Sequence, residues 1–454
     1  MKDKYKVPGL AVALVLLLVF VLFISASASN SEPSFEVRTD EFGEKIIEIN
    51  PPYLPSAQEV TEKYGAVAID VNPRRPQGEV IEITAPLSLE ECEPFRAYEA
   101  EFWFVDDPQS LVRAFVTSFV GGFALSRDLT EYLQYYDFDQ DGVPRVGVTS
   151  MDFVEQFKES EPHFIIRFEI IDPDEVRHLE EAAREIDKKT YVMGASYCYM
   201  GGRITVDLTT PNQERWKDIY QEYRDLPLRF YLIGDPQPET LSVTDYVADD
   251  IETLSVTTHG GGEKIRVGTG GGTSGFLAYW SPYYHVMVLY GHGALGADVY
   301  SYDYDEYVGV TIRMIDEGIG NDAGMYMLYS SINYDNVIHS WRDVNGDTVE
   351  WTWDVDGWRN AVTQGQSMWY ASGYRGLRLL TVNRVRDTYI RYKREAGGGG
   401  DSGSPLFYVY SYGSYCYYFV HGVHTHHAWW DPVYTGYGTR IGQVEDLLDV
   451  SYPW

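Results

Sequence analysis

Hydrophobic and polar positions change rhythm along this chain. "FIIRFEII" (Phe164 to Ile171) is a short apolar run rich in isoleucine, which predicts a strand, and "GGRITVDLT" and "LRFYLIGD" predict two more. Between them, "DPDEVRHLEEAAREIDKK" spaces apolar residues three and four apart behind an Asp-Pro start, as a capped amphipathic helix does. "PNQERWKDIYQEYRDL" predicts a second such helix. The order β-α-β-α-β predicts a compact α/β layer. Upstream, residues 30 to about 85 read as an irregular lead-in and then strand, punctuated by Pro51, Pro52, Pro55, Pro73 and Pro76.

Beyond Gly272 helical periodicity fades and returns only in "GQVEDLLDV" near the C-terminus. Short strand-like runs alternate with turn residues between those points, predicting an all-β sandwich or barrel closed by one helix. From Pro236 to Gly272 the chain carries Asp249, Asp250 and Glu252, then two glycine triplets in "HGGGEKIRVGTGGG". Polar, glycine-rich stretches of this kind are where proteolysis concentrates. The expected organisation is therefore an α/β domain over residues 30–237, an acidic Gly-rich linker and processing region over 238–272, and a β-domain over 260–454.

The first 29 residues read as a leader. Lys2, Lys4 and Lys6 precede an apolar run from Leu10 to Ile24, and "SASAS" offers small residues for cleavage at Ala26 and Ala28. A cleaved signal peptide and a retained membrane anchor through residues 8–28 both fit. Either puts the remainder outside the cytoplasm, secreted or at the cell surface. Sixty-eight acidic against 36 basic residues give a net charge of −32, which argues against nucleic acid as a partner. Three cysteines, Cys92, Cys198 and Cys416, allow at most one internal disulfide, with Cys92 and Cys198 the expected pair. Cys416, in a tyrosine-rich strand pattern, reads as a small buried residue.

Candidate chemistry gathers around "GGGGDSGSPLF" (Gly397 to Phe407). A linker explains four glycines but not the Asp-Ser-Gly-Ser-Pro that follows. Ser402 in a turn of small residues suits a nucleophile, because a carbonyl can approach and backbone N–H groups can face the developing oxyanion. It needs a base. His292 ends the apolar run "HVMVLYGH" next to Gly291, which sets it at a strand end facing a cleft; a turn histidine without a role is the other reading. Asp322, in "GIGNDAGMYML", precedes an apolar strand and small residues, so its carboxylate can point inward; a plain turn residue fits as well. The other histidines group as His163, His178 and His259 upstream, His285 and His339, and the cluster His421, His424, His426 and His427.

"GDSGSP" resembles the nucleophile motif of the chymotrypsin-like serine proteases, and the order His292, Asp322, Ser402 is theirs. The short intervals between those positions resemble the compact bacterial streptogrisin and α-lytic protease branch. "GTSGFLAYW" ahead of the histidine strand and "YGTRIGQVEDLLDV" at the end are similar to that branch too. The likeness runs from about Gly260 to the C-terminus. It departs at "LYGHGA", which lacks the usual cysteine beside the histidine, and at Ser404, where a glycine is usual.

The resemblance implies two six-stranded antiparallel β-barrels and a C-terminal helix. It implies a secreted serine endopeptidase acting on protein or peptide substrates through an acyl-enzyme, with no cofactor and no metal. His292 would be the base, Asp322 its orienter, and the N–H groups of Gly400 and Ser402 the oxyanion hole. His424, Thr425 and His426 would line the substrate strand. His424 falls where glutamate-specific relatives hold a histidine against the P1 carboxylate, implying preference for Glu, or Gln or Asp; a packed histidine beside a different pocket is the alternative. The upstream α/β region would be a pro-segment, chaperone or inhibitor of its own protease, or else an attached accessory module. An inert, protease-like scaffold and an esterase using the same triad are the rival functions. "DFDQDG" from Asp137 begins like a calcium loop, but Val148 at its twelfth position replaces the required glutamate, so an acidic turn is expected.

Overall fold

The computed structural model describes residues 35–40, 43–49, 53–73, 79–83, 108–138, 143–159, 165–234, 237–238, 241–242, 258–281, 284–301, 306–344, 347–393, 400–412, 415–428 and 435–452. The leader, Cys92, the centre of the calcium-like stretch and residues 243–257 lie outside them.

Upstream, six strands lie side by side in the order Glu36–Thr39, Lys45–Ile49, Ala68–Val71, Leu228–Ile233, Arg203–Thr209 and Gly194–Cys198. Ala68–Val71 and Leu228–Ile233 are buried at every position, as central strands covered on both faces must be. Helix Pro173–Asp187 packs on Gly194–Cys198 and Arg203–Thr209. Its start follows from sequence: the Asp172 carboxylate accepts the Asp174 N–H at 2.9 Å, and Pro173 needs no N–H partner in the first turn. The second expected helix is shorter, a 3-10 turn over Thr210–Arg215 leading into an α-helix at Trp216–Glu222.

The strands and helices between Phe164 and Ile233 do not form one layer. Ile166–Ile170 belongs to a separate four-stranded sheet, ordered Glu79–Ile83, Ile166–Ile170, Pro144–Val148 and Leu133–Phe138. Both of its edges are taken, antiparallel by Glu79–Ile83 and parallel by Pro144–Val148. Helix Pro108–Ser126, nearly devoid of charge, packs in the crowded space between this sheet and the downstream β-structure. One apolar cluster runs from its Val116, Val120 and Phe123 through Phe153, Phe157 and Phe168 into downstream Trp369, Phe407 and Val420. Gly122 makes the approach possible: a Cβ there would stand 2.4 Å from the Ser411 carbonyl oxygen. No described helix is long and apolar enough to cross a membrane.

Downstream, six strands close into a ring: Ser367–Ser372, Gly376–Val385, Tyr389–Lys393, Thr435–Arg440, Tyr415–Ala428 and Pro405–Tyr412, which pairs back to the first. The other half is an open path of eight strands: Leu241–Ser242, Gly270–Thr273, Lys264–Val267, Asp298–Ser301, Glu306–Asp316, Asp322–Leu328, Tyr284–Leu289 and Leu277–Trp280. One closed six-stranded barrel is present, as expected; among the described residues the pairings of the other sheet form an open path. Helix Ile441–Leu448 follows the last strand, where "GQVEDLLDV" predicts one.

Buried ion pairs join the upstream sheet to the closed barrel. Arg384 reaches Asp207 at 3.0 Å and Glu44 at 3.1 Å, Arg391 reaches Glu44 at 2.6 Å, and Arg386 meets Asp207 at 3.0 Å. Burial alone would raise the Glu44 carboxyl, but Arg391 and Arg384 outweigh it and hold the pKa down at about 2. Asp207 is likewise lowered: burial is the largest influence on it, and Arg386 and Arg384 reverse its direction. Cys198 is buried with its thiol 3.3 Å from Gln364 Oε1, and Cys416 is half-buried opposite Ser411.

Candidate active site

Three chain segments meet at the seam between the closed barrel and the open sheet. His292 follows strand Tyr284–Leu289, and Asp322 opens the neighbouring strand Asp322–Leu328. Glycine at 291 permits this meeting, since a Cβ there would lie 1.8 Å from the Ile315 carbonyl oxygen and 2.7 Å from the Ala323 nitrogen. The Gly291 N–H donates to Asp322 Oδ1, and Asp322 Oδ2 meets His292 Nδ1 at 2.5 Å. Asp322 is fully buried, and both carboxylate oxygens are engaged on the histidine's segment. The Thr439 hydroxyl, from the closed barrel, donates to the Asp322 carbonyl at 2.7 Å. The Tyr290 ring stacks on His292 with centroids 4.5 Å apart. The imidazole is therefore fixed in tautomer and plane, with the proton on Nδ1 and an acceptor left at Nε2. His292 Nε2 is buried and has no hydrogen-bond partner among the described residues.

Ser402 lies in the turn before strand Pro405–Tyr412. Gly400 and Gly403 flank it with φ of +93° and +96°, a region closed to most side chains. A Cβ on Gly403 would strike the Thr273 carbonyl oxygen at 1.9 Å, so this glycine is required twice over. Ser404 closes the turn: its hydroxyl donates to the Asp401 carbonyl at 2.6 Å and its N–H to the same oxygen at 3.0 Å. That role explains why a serine is accepted there. Asp401 is fully buried, accepting from the Ser372 hydroxyl at 2.5 Å and lying 3.4 Å from Arg375 Nε. Among the described residues, no acceptor meets the backbone N–H of Gly400 or of Ser402.

The Ser402 hydroxyl donates to the Thr425 carbonyl at 3.0 Å and not to His292. Strand Tyr415–Ala428 bridges the two halves at this point. The Thr425 hydroxyl lies 3.0 Å from His426 Nδ1, which in turn is 3.8 Å from Asp322 Oδ2, and the His426 ring stands 5.6 Å from that of His292. Burial, reinforced by the neighbouring His292, lowers the pKa of His426 although Asp322 pulls the other way, which favours the neutral ring. His292, Asp322 and His426 offer donor atoms within 4.8 Å of one another. The 2.5 Å contact between His292 Nδ1 and Asp322 Oδ2 is a direct hydrogen bond, too close for a pair of zinc ligands.

His424 is fully buried inside the closed barrel. Its Nδ1 meets the Tyr392 hydroxyl, and the rings of Tyr370 and Tyr392 both lie 5.9 Å away. Its backbone pins the turn that holds Ser402, accepting the Gly403 N–H at 2.8 Å and donating to the Ser404 carbonyl at 2.9 Å. The other histidines stand apart. His285 pairs with the Tyr334 hydroxyl at 2.6 Å, while His259 and His339 flank buried Glu263. Thr273, Tyr290, Ser372 and Arg375 were not visible as site residues in the sequence; only the glycine triplet before Thr273 marks a close approach there.

No protein-family model matches this chain, and no curated protein matches it. Solved structures do resemble it in part. Thermobifida fusca protease A is 21% identical over 42% of this chain and 96% of its own, with a TM-score of 0.32. A serine protease described as glutamic acid specific, with a histidine triad in substrate binding, is 17% identical over 42% of this chain and 99% of its own, at a TM-score of 0.34. A Cellulomonas bogoriensis chymotrypsin is 18% identical over 43% of this chain and 97% of its own, at 0.32.

Proposed function

We propose that this chain is a serine endopeptidase in which Ser402 is the nucleophile, His292 the general base and Asp322 the residue that orients the base. One observation carries the reading: a buried carboxylate fixes His292 through Nδ1, and the unpartnered Nε2 lies in the seam that also holds Ser402. In this reading the Ser402 hydroxyl leaves the Thr425 carbonyl for His292 as substrate seats, since catalytic hydrogen bonds commonly tighten only then. His292 takes the serine proton as Oγ attacks the substrate carbonyl and returns it to the leaving amine. Water repeats the sequence to release the acyl group. Gly400 and Ser402 N–H groups serve the oxyanion, each worth about 2.7–4 kcal/mol in the transition state.

In this reading His424 sets P1 preference for glutamate, its ring polarised by the Tyr392 hydroxyl, and Thr425 and His426 carry the substrate main chain. The leader supports export of the enzyme, cleaved or anchored, and the upstream α/β region acts as its pro-segment. Hydrolysis of a peptide library by the full chain and by Ser402→Ala tests the proposal. Activity confined to the unmodified protein, with cuts after acidic residues, is expected. Equal peptide hydrolysis by Ser402→Ala would refute it.

A further inference from the structure

One buried threonine holds the Ser402 turn from behind. Thr273 ends the triplet Gly270-Gly271-Gly272 and is fully buried. Its backbone N–H donates to the Ser402 carbonyl at 2.9 Å, and its hydroxyl donates to the Gly400 carbonyl at 2.9 Å. These are the two residues whose own N–H groups are assigned above to the oxyanion. The hydroxyl also has a donor on it. Thr273 Oγ1 accepts the Gly373 N–H at 3.1 Å, from the turn between strands Ser367–Ser372 and Gly376–Val385 of the closed barrel. A hydroxyl gives one proton and receives on its lone pairs, so both directions at Oγ1 are set. The same barrel turn braces Asp401: Ser372 Oγ donates to Asp401 Oδ1 at 2.5 Å and receives the N–H groups of Tyr374 and Arg375, each at 3.1 Å. Thr273 is itself seated from its other side. The hydroxyl of the next residue, Ser274, donates to the Gly260 carbonyl at 2.6 Å and accepts the Glu263 N–H at 3.0 Å. The buried Glu263 carboxylate closes that segment by accepting the Gly260 N–H at 2.9 Å.

We infer that Thr273 is the positioning residue of the oxyanion site. By holding the carbonyls of Gly400 and Ser402, it fixes the direction of the two N–H groups that meet the substrate oxygen. The inference rests on the endopeptidase reading above and adds a residue to it. Thr273 acts through the turn and does not itself meet the substrate. A misdirected donor loses more against the charged oxygen of the transition state than against the neutral carbonyl of bound substrate. Removing the hydroxyl therefore lowers kcat and spares KM. Valine keeps the shape of threonine but takes away donor and acceptor together, leaving the buried Gly400 carbonyl without its hydroxyl partner.

The test measures kcat and KM on a peptide amide, the affinity of a peptide aldehyde, and thermal melting. It uses the full chain as found and as Thr273→Val, Thr273→Ala, Thr273→Ser, Thr117→Val and Ser402→Ala. The aldehyde reports on the oxyanion site because its adduct with serine places an oxygen there. Thr117 is the matched control: it is fully buried in helix Pro108–Ser126, donates to the Ala114 carbonyl at 3.1 Å and accepts the Ser367 N–H at 3.4 Å. Thr273→Val is expected to lower kcat by about tenfold to hundredfold, with KM changed by less than about threefold. Its aldehyde affinity is expected to fall by the same factor as kcat/KM. Thr273→Ala carries the comparison where Thr273→Val does not fold. Thr273→Ser, which keeps the hydroxyl, is expected to recover kcat to within about threefold of the unmodified protein. Thr117→Val is expected to lower the melting temperature and leave kcat within about twofold. An unchanged kcat in Thr273→Val, a loss confined to KM, an aldehyde affinity that does not follow, or a Thr273→Ser protein as slow as Thr273→Val overturns the inference and leaves the endopeptidase reading standing. An equal loss of kcat in Thr117→Val overturns it too, since any buried hydroxyl would then do the same. An unmodified protein without Ser402-dependent hydrolysis overturns the endopeptidase reading and this inference together.

Discussion

The upstream chain touches the β-structure in two places, and the two contacts are built differently. At the back, helix Pro108–Ser126 lies against strand Pro405–Tyr412, and the Glu44 and Asp207 carboxylates are locked among Arg384, Arg386 and Arg391. That contact is made largely of buried side chains, with one main-chain bridge between Tyr135 and Gln364 and a close backbone approach at Gly122. At the front, Gln237–Pro238 and Leu241–Ser242 meet the site through backbone pairing of two residues on each wall. Pairing of that kind accepts many sequences, as a substrate cleft must. The two contacts therefore differ in what breaks them: the first depends on side-chain identity, the second on main-chain pairing.

Substitutions at the proposed triad of His292, Asp322 and Ser402 are expected to have the largest effect. Ser402→Ala is expected to lower peptide hydrolysis by roughly 10⁶-fold, and Asp322→Asn, which frees the imidazole tautomer, by about 10⁴-fold in kcat. Neither should move the melting temperature at pH 7 enough to suggest loss of the fold, so activity and melting measured on one preparation separate the roles. A folded Asp322→Asn protein of undiminished kcat would break the assignment of Asp322.

Acid probes the back contact. The folded pKa of Glu44, about 2, lies below its ordinary 4.5, so the charged form stabilises the folded state. That contribution, on the order of 3 kcal/mol, is complete above pH 4.5 and is lost as pH falls toward 2. Thermal melts from pH 6 to 2 should show a steep fall through this window, and Glu44→Gln should flatten it. A melt unchanged across the window would break the account of the ion network. Gly122→Val tests the same contact sterically: its Cβ would meet the Ser411 carbonyl at 2.4 Å, so a loss of about 1–3 kcal/mol in denaturant unfolding is expected. The smallest expected effect sharpens the front contact. His424→Gln should reduce discrimination between Glu and Gln at P1 by about tenfold, read as a ratio of kcat/KM values.

Local signals carried much of this in the sequence. The glycines around Ser402 are there because φ is positive at 400 and 403, a demand that only the residue type can reveal. His292 at the end of an apolar run and Asp322 at the start of another announced two strand termini, and they are neighbours in one sheet. Contacts between distant segments left no comparable trace. Helix Pro108–Ser126 is apolar around its circumference because it is packed on several sides, so it lacks the one-faced period that marks a surface helix. Strand Ile166–Ile170 looked like a partner of the strands after it because one of its edges goes to Glu79–Ile83, far upstream, and the other to Pro144–Val148, a run broken by proline and glycine that does not read as a strand. Asp401 needs Ser372 and Arg375, which no spacing connects to it. The linker strands are only two residues long, too short for a period of apolar positions to show.

The claim that Ser402 is a nucleophile activated by His292 is tested most directly by a fluorophosphonate, which phosphonylates an activated serine and spares ordinary hydroxyls. One label per chain is expected, mapped by peptide mass to Ser402, with peptide hydrolysis falling in step and both lost in His292→Ala. Labelling at another residue, or full peptide hydrolysis by protein labelled at Ser402, would contradict it.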